Sequence, residues 1–386
     1  MGEVLLDVTR LLDRALHDRL PTGVDRVGLA YVSHFRDQAR ALVRFGWRWV
    51  VLGRGDSVRI FDALIAPDDG FPLLVRWLAG RSWLFDWRAM GRGAWLFNTS
   101  HSGLDNPDYA LQVRRLGLVP VFFLHDLIPI THPEYGRPGE AERHRRRLAT
   151  MLLVGRGLVL NSEATRRELV AYASVLGLAV PPCVVAPLAP LELVAAGVRP
   201  VPGPYFVVLG TIEPRKNHLL LLHLWREFSL KMGNKAPRLV VIGQRGWECE
   251  QVVDLLERCE GLREVVIEIP HCSDLELSGW LRHAEALLFP SFAEGFGIPL
   301  AEALSVGTPV LASDLRVFRE IAGAIPEYLH PLDGLGWRDL IVEYARPGSV
   351  RRAAQIERLA AFQVPTWERH FALVETLLAQ IHDAGV

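Results

Sequence analysis

Two textures alternate along the chain. Short apolar runs recur between longer stretches whose apolar positions return every three or four residues, as on an amphipathic helix. The runs predict strands at 4–8, 47–52, 94–97, 119–124, 157–160 and 183–186 in the first half, and at 205–209, 238–242, 265–268, 286–289 and 310–312 in the second. The helical spacing predicts helices at 24–35, 108–116, 140–153 and 163–172, the last with Ser162 as its cap, and a final amphipathic helix over 367–382. Strands that alternate with helices imply parallel sheets covered on both faces. Residues 187–204, rich in Pro, Ala and Gly, read as a linker with a hinge near 197–204. The expected organisation is two doubly wound domains, 1–194 and 195–365, with a C-terminal helical segment at 366–386. In such sheets ligands sit at the carboxyl ends of the strands.

Composition changes this picture only by exclusion. The 386 residues are half hydrophobic, enough for two cores. A net charge of −1 argues against nucleic acid, whose binding needs a basic surplus. The four cysteines have no CxxC spacing and read as reduced thiols. There is neither a basic-then-apolar leader at the N-terminus nor an apolar run of about 18 residues, so the expectation is a cytoplasmic chain, soluble or peripheral.

Candidate chemistry gathers in two second-half loops. Tyr205-Phe-Val-Val-Leu-Gly210 is a strand ending in glycine, followed by Thr211-Ile-Glu-Pro-Arg-Lys-Asn217. Arg215 offers a planar fork to phosphate oxygens and Lys216 a point charge, and Asn217 reads as the cap of the next helix. Downstream, Ser291–Gly297 forms a loop carrying Glu294. Pro299 suits a first helical turn, Glu302 falls one turn in, and Gly307 closes the helix. The backbone amides from Gly295 through Phe296 and Gly297 to Ile298 then open a helix, a place where anions bind. Each residue also has a plain reading. Glu302 suits a solvated helix charge, Glu294 a cap of its own loop, Arg215 and Lys216 surface cations. Cations are unfavourable at a helix N-terminus without an anion nearby, which favours a phosphate role for these two. Gly243–Trp247 suits either a base contact or a strand-end turn, and His271 and Cys272 read as structural.

Gly210–Asn217 together with Glu294–Glu302 resembles the signature of the retaining glycosyltransferases of family 4, which have the GT-B fold. Pro21-Thr-Gly-Val-Asp-Arg-Val27 and His125-Asp126 are similar to N-terminal motifs of that family, so the likeness spans nearly the whole chain. Gly210-Thr-Ile-Glu-Pro-Arg-Lys-Asn-His218 and His125-Asp-Leu-Ile-Pro129 are most similar to bacterial mannosyltransferase-like members that build surface polysaccharides. The resemblance implies an α/β GT-B fold, two Rossmann-like domains facing across a cleft, and a nucleotide-sugar donor. It places Glu302 on the nucleotide ribose, Glu294 near the donor sugar, His125 (with Asp126) on the sugar side near the reacting carbon, and Gly23 where backbone approaches donor phosphate or acceptor. Arg215, Lys216 and the amides at Gly295–Ile298 would neutralise the departing diphosphate beside Gly210 and Thr211. Many members carry arginine where this chain has Thr211, so either Arg215 substitutes for it from the next turn or the diphosphate is held less tightly.

The expected reaction is retaining transfer of a hexose, mannose from GDP-mannose before a UDP- or dTDP-sugar, to a lipid-linked saccharide. A cleft that binds nucleotide-sugar without turnover is the alternative of another class, and an epimerase or phosphorylase is disfavoured by the paired glutamates and Arg-Lys. No cofactor is expected, and without an Asp-x-Asp motif at the diphosphate no metal either. The Trp-, Leu- and Arg-rich stretch 71–95 and the cluster Arg143-His-Arg-Arg-Arg147 suggest contact with an anionic membrane face or a lipid-diphosphate acceptor.

Overall fold

The computed structural model describes residues 2–384 other than 18, 20, 47, 68–69, 76, 79–91 and 194–197. The chain forms two compact units, one of residues 1–130, 139–187 and 367–386, the other of residues 131–138 and 188–366.

The first unit is built on a seven-stranded sheet. Its strands are β1 (Val4–Asp7), β2 (Ala39–Phe45), β3 (Arg48–Val51), β4 (Trp95–Asn98), β5 (Val119–Leu124), β6 (Gly157–Leu160) and β7 (Cys183–Val185), in the order β3-β2-β1-β4-β5-β6-β7. All neighbours are parallel except the β2–β3 pair at the edge. β4 and β5 are buried along their whole length, as central parallel strands must be when helices cover both faces. One side packs Leu96, Phe122, Leu124 and Leu158 under Tyr109, Leu148 and Met151. The helix Glu163–Val175 starts where Ser162 accepts from the Thr165 amide, the cap its sequence suggests. The C-terminal helix Trp367–Asp383 belongs to this unit and buries Phe371, Val374, Leu377, Leu378 and Ile381.

The second unit carries a six-stranded parallel sheet: β8 (Tyr205–Leu209), β9 (Arg238–Ile242), β10 (Val266–Ile269), β11 (Ala286–Phe289), β12 (Val310–Ser313) and β13 (Glu327–Leu329), ordered β10-β9-β8-β11-β12-β13. Its order reverses between β8 and β11, so the loops leaving these two neighbours open side by side at their carboxyl ends. Trp225, Trp337 and Tyr344 fill the core on one face.

Two strands are not evident from the apolar runs. β2 carries Arg40 and Arg44 in its sequence, yet both are satisfied inside: Arg40 donates to the Leu52 carbonyl and to Glu3, and Arg44 pairs with Asp7 at 2.7 Å. β13 is three half-buried residues at a sheet edge, too short to register as a period.

Of the stretch 71–95, residues 76 and 79–91 lie outside the described residues, as do 194–197 of the linker. Trp95 is not at an interface: it belongs to β4 and is buried. Among the described residues no helix is long and apolar enough to cross a membrane. The basic cluster lies on the helix Glu140–Val154, where Arg143 and Arg147 pair with Glu140, and Arg145 with Glu142.

Candidate functional site

The β8 and β11 loops meet in a buried cluster of charge. After β8 the backbone turns at Gly210, whose φ of 138° suits glycine, and the Lys216 side chain lies against its open face. The next segment is tied to the loop after β9: the Ile212 amide donates to the Gln244 carbonyl and the Gly246 amide to the Ile212 carbonyl. The turn at Gly243–Trp247 thus holds Gly210–Ile212 in place. Pro214–Lys216 then makes one 3-10 turn.

That turn sets Arg215 and Lys216 on one carboxylate. Lys216 Nζ lies 2.6 Å from Glu294 Oε1 and Arg215 Nη1 2.7 Å from Glu294 Oε2, while Arg215 Nε meets Glu213 at 2.7 Å. Ser291 Oγ donates to Glu294 Oε1 at 2.8 Å, and Arg215 also donates to the Ala293 carbonyl. The Phe292 amide donates to the Arg215 carbonyl, so the two loops are joined by backbone as well as by charge. Burial would raise the Glu294 pKa, but Arg215 and Lys216 outweigh it and hold the carboxyl down at about 2. Burial lowers Lys216, with Arg215 adding to the effect against Glu294 and Glu213.

The helix Ile298–Ser305 follows, opened by Gly297 at φ 108° with Pro299 in its first turn. A Cβ at Gly297 would sit 2.7 Å from the Phe318 ring, so glycine is needed there on two counts. Gly295, Phe296, Gly297 and Ile298 are therefore presented at a helix N-terminus, as their order in sequence implies. Glu302, in the second turn of this helix, is buried rather than solvated.

Asn217 corrects an expectation. It does not cap the helix His218–Met232: it sits in the left-handed region at φ 58° and donates from Nδ2 to the Pro290 and Pro331 carbonyls. The side chain that reads as a cap instead staples the β8 and β11 loops together.

In the first unit, Gly23 is the first residue of the helix Gly23–Phe35. Asp25 reaches back to the Thr22 amide and hydroxyl at 2.8 and 2.6 Å and receives Arg10 and Arg14 at 2.8 Å each. His125 leaves the end of β5 and donates to the Thr99 carbonyl at 2.7 Å. Burial lowers its pKa, opposed by the Thr99 contact and Asp126, and Arg10 and Asp25 both act on it electrostatically. The two N-terminal motifs are thus neighbours. Asp126 Oδ1 accepts from the Ile128 amide.

Four residues at these sites escape the sequence reading. Glu213 is a buried partner of Arg215, signalled only by its place inside the recognised stretch. His218 is buried with neither ring nitrogen paired, and burial together with Lys216 pushes its pKa down to about 3. His101 stands between His125 and His144, with ring centres 5.2 Å from the first and 5.5 Å from the second, and no spacing links the three in sequence. Groups of three or more His, Cys, Asp or Glu able to hold a metal are absent among the described residues.

Residues 192–324 match the family model described as glycosyl transferases group 1. Among curated relatives, the serotype-specific mannosyltransferase WbdA of Escherichia coli is 36% identical over 124 residues, covering 31% of this chain and 14% of the relative. The O-antigen chain mannosyltransferase B of Escherichia coli is 33% identical over 165 residues, 42% of each chain. The chain thus spans less than half the length of these relatives. Sucrose-phosphate synthase from Thermosynechococcus elongatus superposes over 100% of both chains with a TM-score of 0.66 at 15% identity. HepE from Anabaena, in complex with UDP and glucose, covers 100% of this chain and 99% of its own with a TM-score of 0.65 at 16% identity. The fold is GT-B, with its two parallel-sheet α/β units.

Proposed function

From a GT-B chain whose residues 192–324 carry the glycosyl transferases group 1 pattern, we propose a retaining glycosyltransferase that moves a hexose from a nucleotide-sugar to a saccharide acceptor. The observation that carries the reading is the cluster of Arg215, Lys216 and Glu294 at the carboxyl ends of β8 and β11, beside the amides that open the helix Ile298–Ser305. Without ligand, Glu294 supplies the negative charge that the two cations require. A donor diphosphate brings the same charge, and more of it develops on the terminal phosphate oxygen as the glycosidic bond breaks. Arg215 and Lys216 neutralise that oxygen, with Arg215 taking the part of an arginine next to Gly210, where this chain has Thr211. Glu302 accepts hydrogen bonds from the ribose and Glu294 turns to the sugar, while His125, with Asp126 and Gly23, serves the sugar and acceptor. The acceptor hydroxyl attacks from the face the diphosphate leaves, and the departing phosphate oxygen takes its proton, which preserves the anomeric configuration.

Mannose from GDP-mannose is the favoured donor, supported by the names of the bacterial relatives. A lipid-linked acceptor, contact with the cytoplasmic face of a membrane and metal-independent transfer complete the proposal. The helix Glu140–Val154 lends the membrane contact a small basic surplus: Arg143, Arg145, Arg146 and Arg147 outnumber Glu140, Glu142 and the neighbouring Asp105 by one.

Calorimetric titration without added metal tests the donor site, using GDP, UDP, dTDP, GDP-mannose and UDP-glucose against wild type, Lys216→Ala and Glu302→Ala. Guanine nucleotides should bind, and both substitutions should weaken them at least about tenfold, a loss of about 1.4 kcal/mol. Binding of uracil or thymine nucleotides instead replaces the donor. Binding that survives both substitutions removes the site.

A further inference from the structure

We propose that His101 is a positioning residue for His125, locking that imidazole with its proton on Nε2 so that it meets a sugar hydroxyl as a hydrogen-bond acceptor through Nδ1. The role rests on the reading of His125 as the sugar-side residue; the geometry behind it lies within the first unit alone.

β4 and β5 are parallel neighbours, and a histidine stands in the loop after each. The two rings are bonded reciprocally. His101, after β4, donates from Nε2 to the Phe123 carbonyl on β5 at 2.8 Å, and His125, after β5, donates from Nε2 to the Thr99 carbonyl at 2.7 Å. Each ring holds backbone two residues before the other. His101 does so from a left-handed backbone at φ 60°, a conformation that few side chains adopt and that persists only where surrounding contacts impose it. The His125 segment is fixed from two further directions: Asn161 Nδ2 donates to the His125 carbonyl at 2.8 Å, and His144 Nε2 to the Asp126 carbonyl at 3.0 Å.

A carbonyl oxygen can only accept. The ring nitrogen facing it must therefore carry the proton, and a neutral imidazole then has a bare lone pair on the other nitrogen. All three rings satisfy this through Nε2, and the Nδ1 of His144 is indeed buried without a partner. Burial lowers the pKa of all three, with His125 and His144 adding to the effect on His101, so the neutral forms prevail near neutral pH. Nothing in this frame lets His125 flip to the other tautomer while Thr99 and the His101–Phe123 bond stay in place. Any partner at its Nδ1 must accordingly be a group that donates, as a sugar hydroxyl does.

Labelling only histidine with nitrogen-15 makes the tautomers visible among the 13 histidines by long-range nitrogen–proton correlations, with His125 identified by its loss in His125→Gln. The expected spectrum shows His101 and His125 each as a single Nε2–H tautomer. His101→Phe, which keeps a ring but cannot donate to Phe123, should give an averaged pattern at His125. His101→Gln, whose amide replaces the donor, should restore the single form. In a hexose-transfer assay with the donor identified above, His101→Phe should lower kcat about tenfold with the donor KM within about twofold, and His101→Gln should recover most of it. A wild-type His125 that carries its proton on Nδ1, or averages between forms, overturns the proposal whether or not any variant folds. So does a His101→Phe protein whose His125 tautomer is unchanged. Correct tautomers in a chain that transfers no sugar would remove the functional reading and leave the positional one standing.

Discussion

Glu294 is ionised in a place where burial alone would neutralise it, and its two cations are what keep it so. Its carboxyl is held at about 2 against an ordinary 4.5, so its charge contributes stability that is complete above about 4.5 and lost as pH falls through about 2. Glu294→Gln keeps the volume and removes the charge, leaving the buried Lys216 beside a neutral amide and Arg215 with Glu213 alone. Breaking a buried pair in this way should cost about 3 kcal/mol near neutral pH. The gap between wild type and variant in urea midpoint should then narrow between pH 4.5 and 2. Parallel profiles would show that the pair does not carry the charge linkage. His370 is a second buried titrator. Its Nδ1 donates to the Ala186 and Pro187 carbonyls and its Nε2 accepts from Tyr31, and burial holds it at about 4. Folding favours its neutral form, so that contribution is complete above about 6.5 and lost as pH falls toward 4. His370→Gln, which cannot titrate, should show a flatter decline across that window in the same measurement; a decline as steep as wild type would acquit His370. The residue types of the charge cluster are legible in sequence, because Arg-Lys and Glu294 fall in recognisable strand-end loops. That they neutralise one another is not, since 78 residues separate Lys216 from Glu294 and only the sheet order brings them together.

At the scale of elements, the loops are more constrained than the strands. Gly243 has φ 151°, and a Cβ there would lie 2.1 Å from the Gly210 carbonyl oxygen, so alanine forces the Gly210–Thr211 backbone away. Gly307, at φ 82°, closes the helix Ile298–Ser305 with open space around it. Gly307→Ala should therefore cost only the left-handed strain, about 1 kcal/mol. Gly243→Ala should cost about 3 kcal/mol, as an overpacked backbone site does, and weaken nucleotide binding besides. Urea midpoints compare the two directly, and equal losses would mean that the β8 and β9 loops are free to part. Most strands and helices could be read from the sequence because central parallel strands are continuous apolar runs between amphipathic helices. β2 could not, because Arg40 and Arg44 look like solvent-facing positions until Glu3 and Asp7 are found beside them. Asn217 misleads for a related reason. A short polar side chain ahead of a helix suits both a cap and a left-handed staple, and only the Pro290 and Pro331 carbonyls decide between them.

For the whole molecule, the first unit draws on both ends of the chain. The helix Trp367–Asp383 lies along β6 and β7, close enough that a Cβ on Gly157 would fall 2.7 Å from Ile381. Phe371, Val374, Leu377, Leu378 and Ile381 are each at least nine-tenths buried there, while Phe371 and His370 both pack against Tyr31. At about 2 kcal/mol for each buried apolar side chain, these five contribute about 10 kcal/mol before any entropy cost, comparable with the whole stability of a domain. The second unit has its own continuous core around Trp225 and Trp337 and uses none of these residues. Deleting residues 367–386 should therefore unfold the first unit selectively. Hydrogen exchange should show amides of β4, β5 and β6 losing protection toward solvent rates while those of β8, β9 and β11 keep theirs. Loss in both units would mean that the second cannot stand without the first. Retained protection in β4–β6 would mean that the sheet's other face alone suffices, and that the terminal helix covers a core already closed.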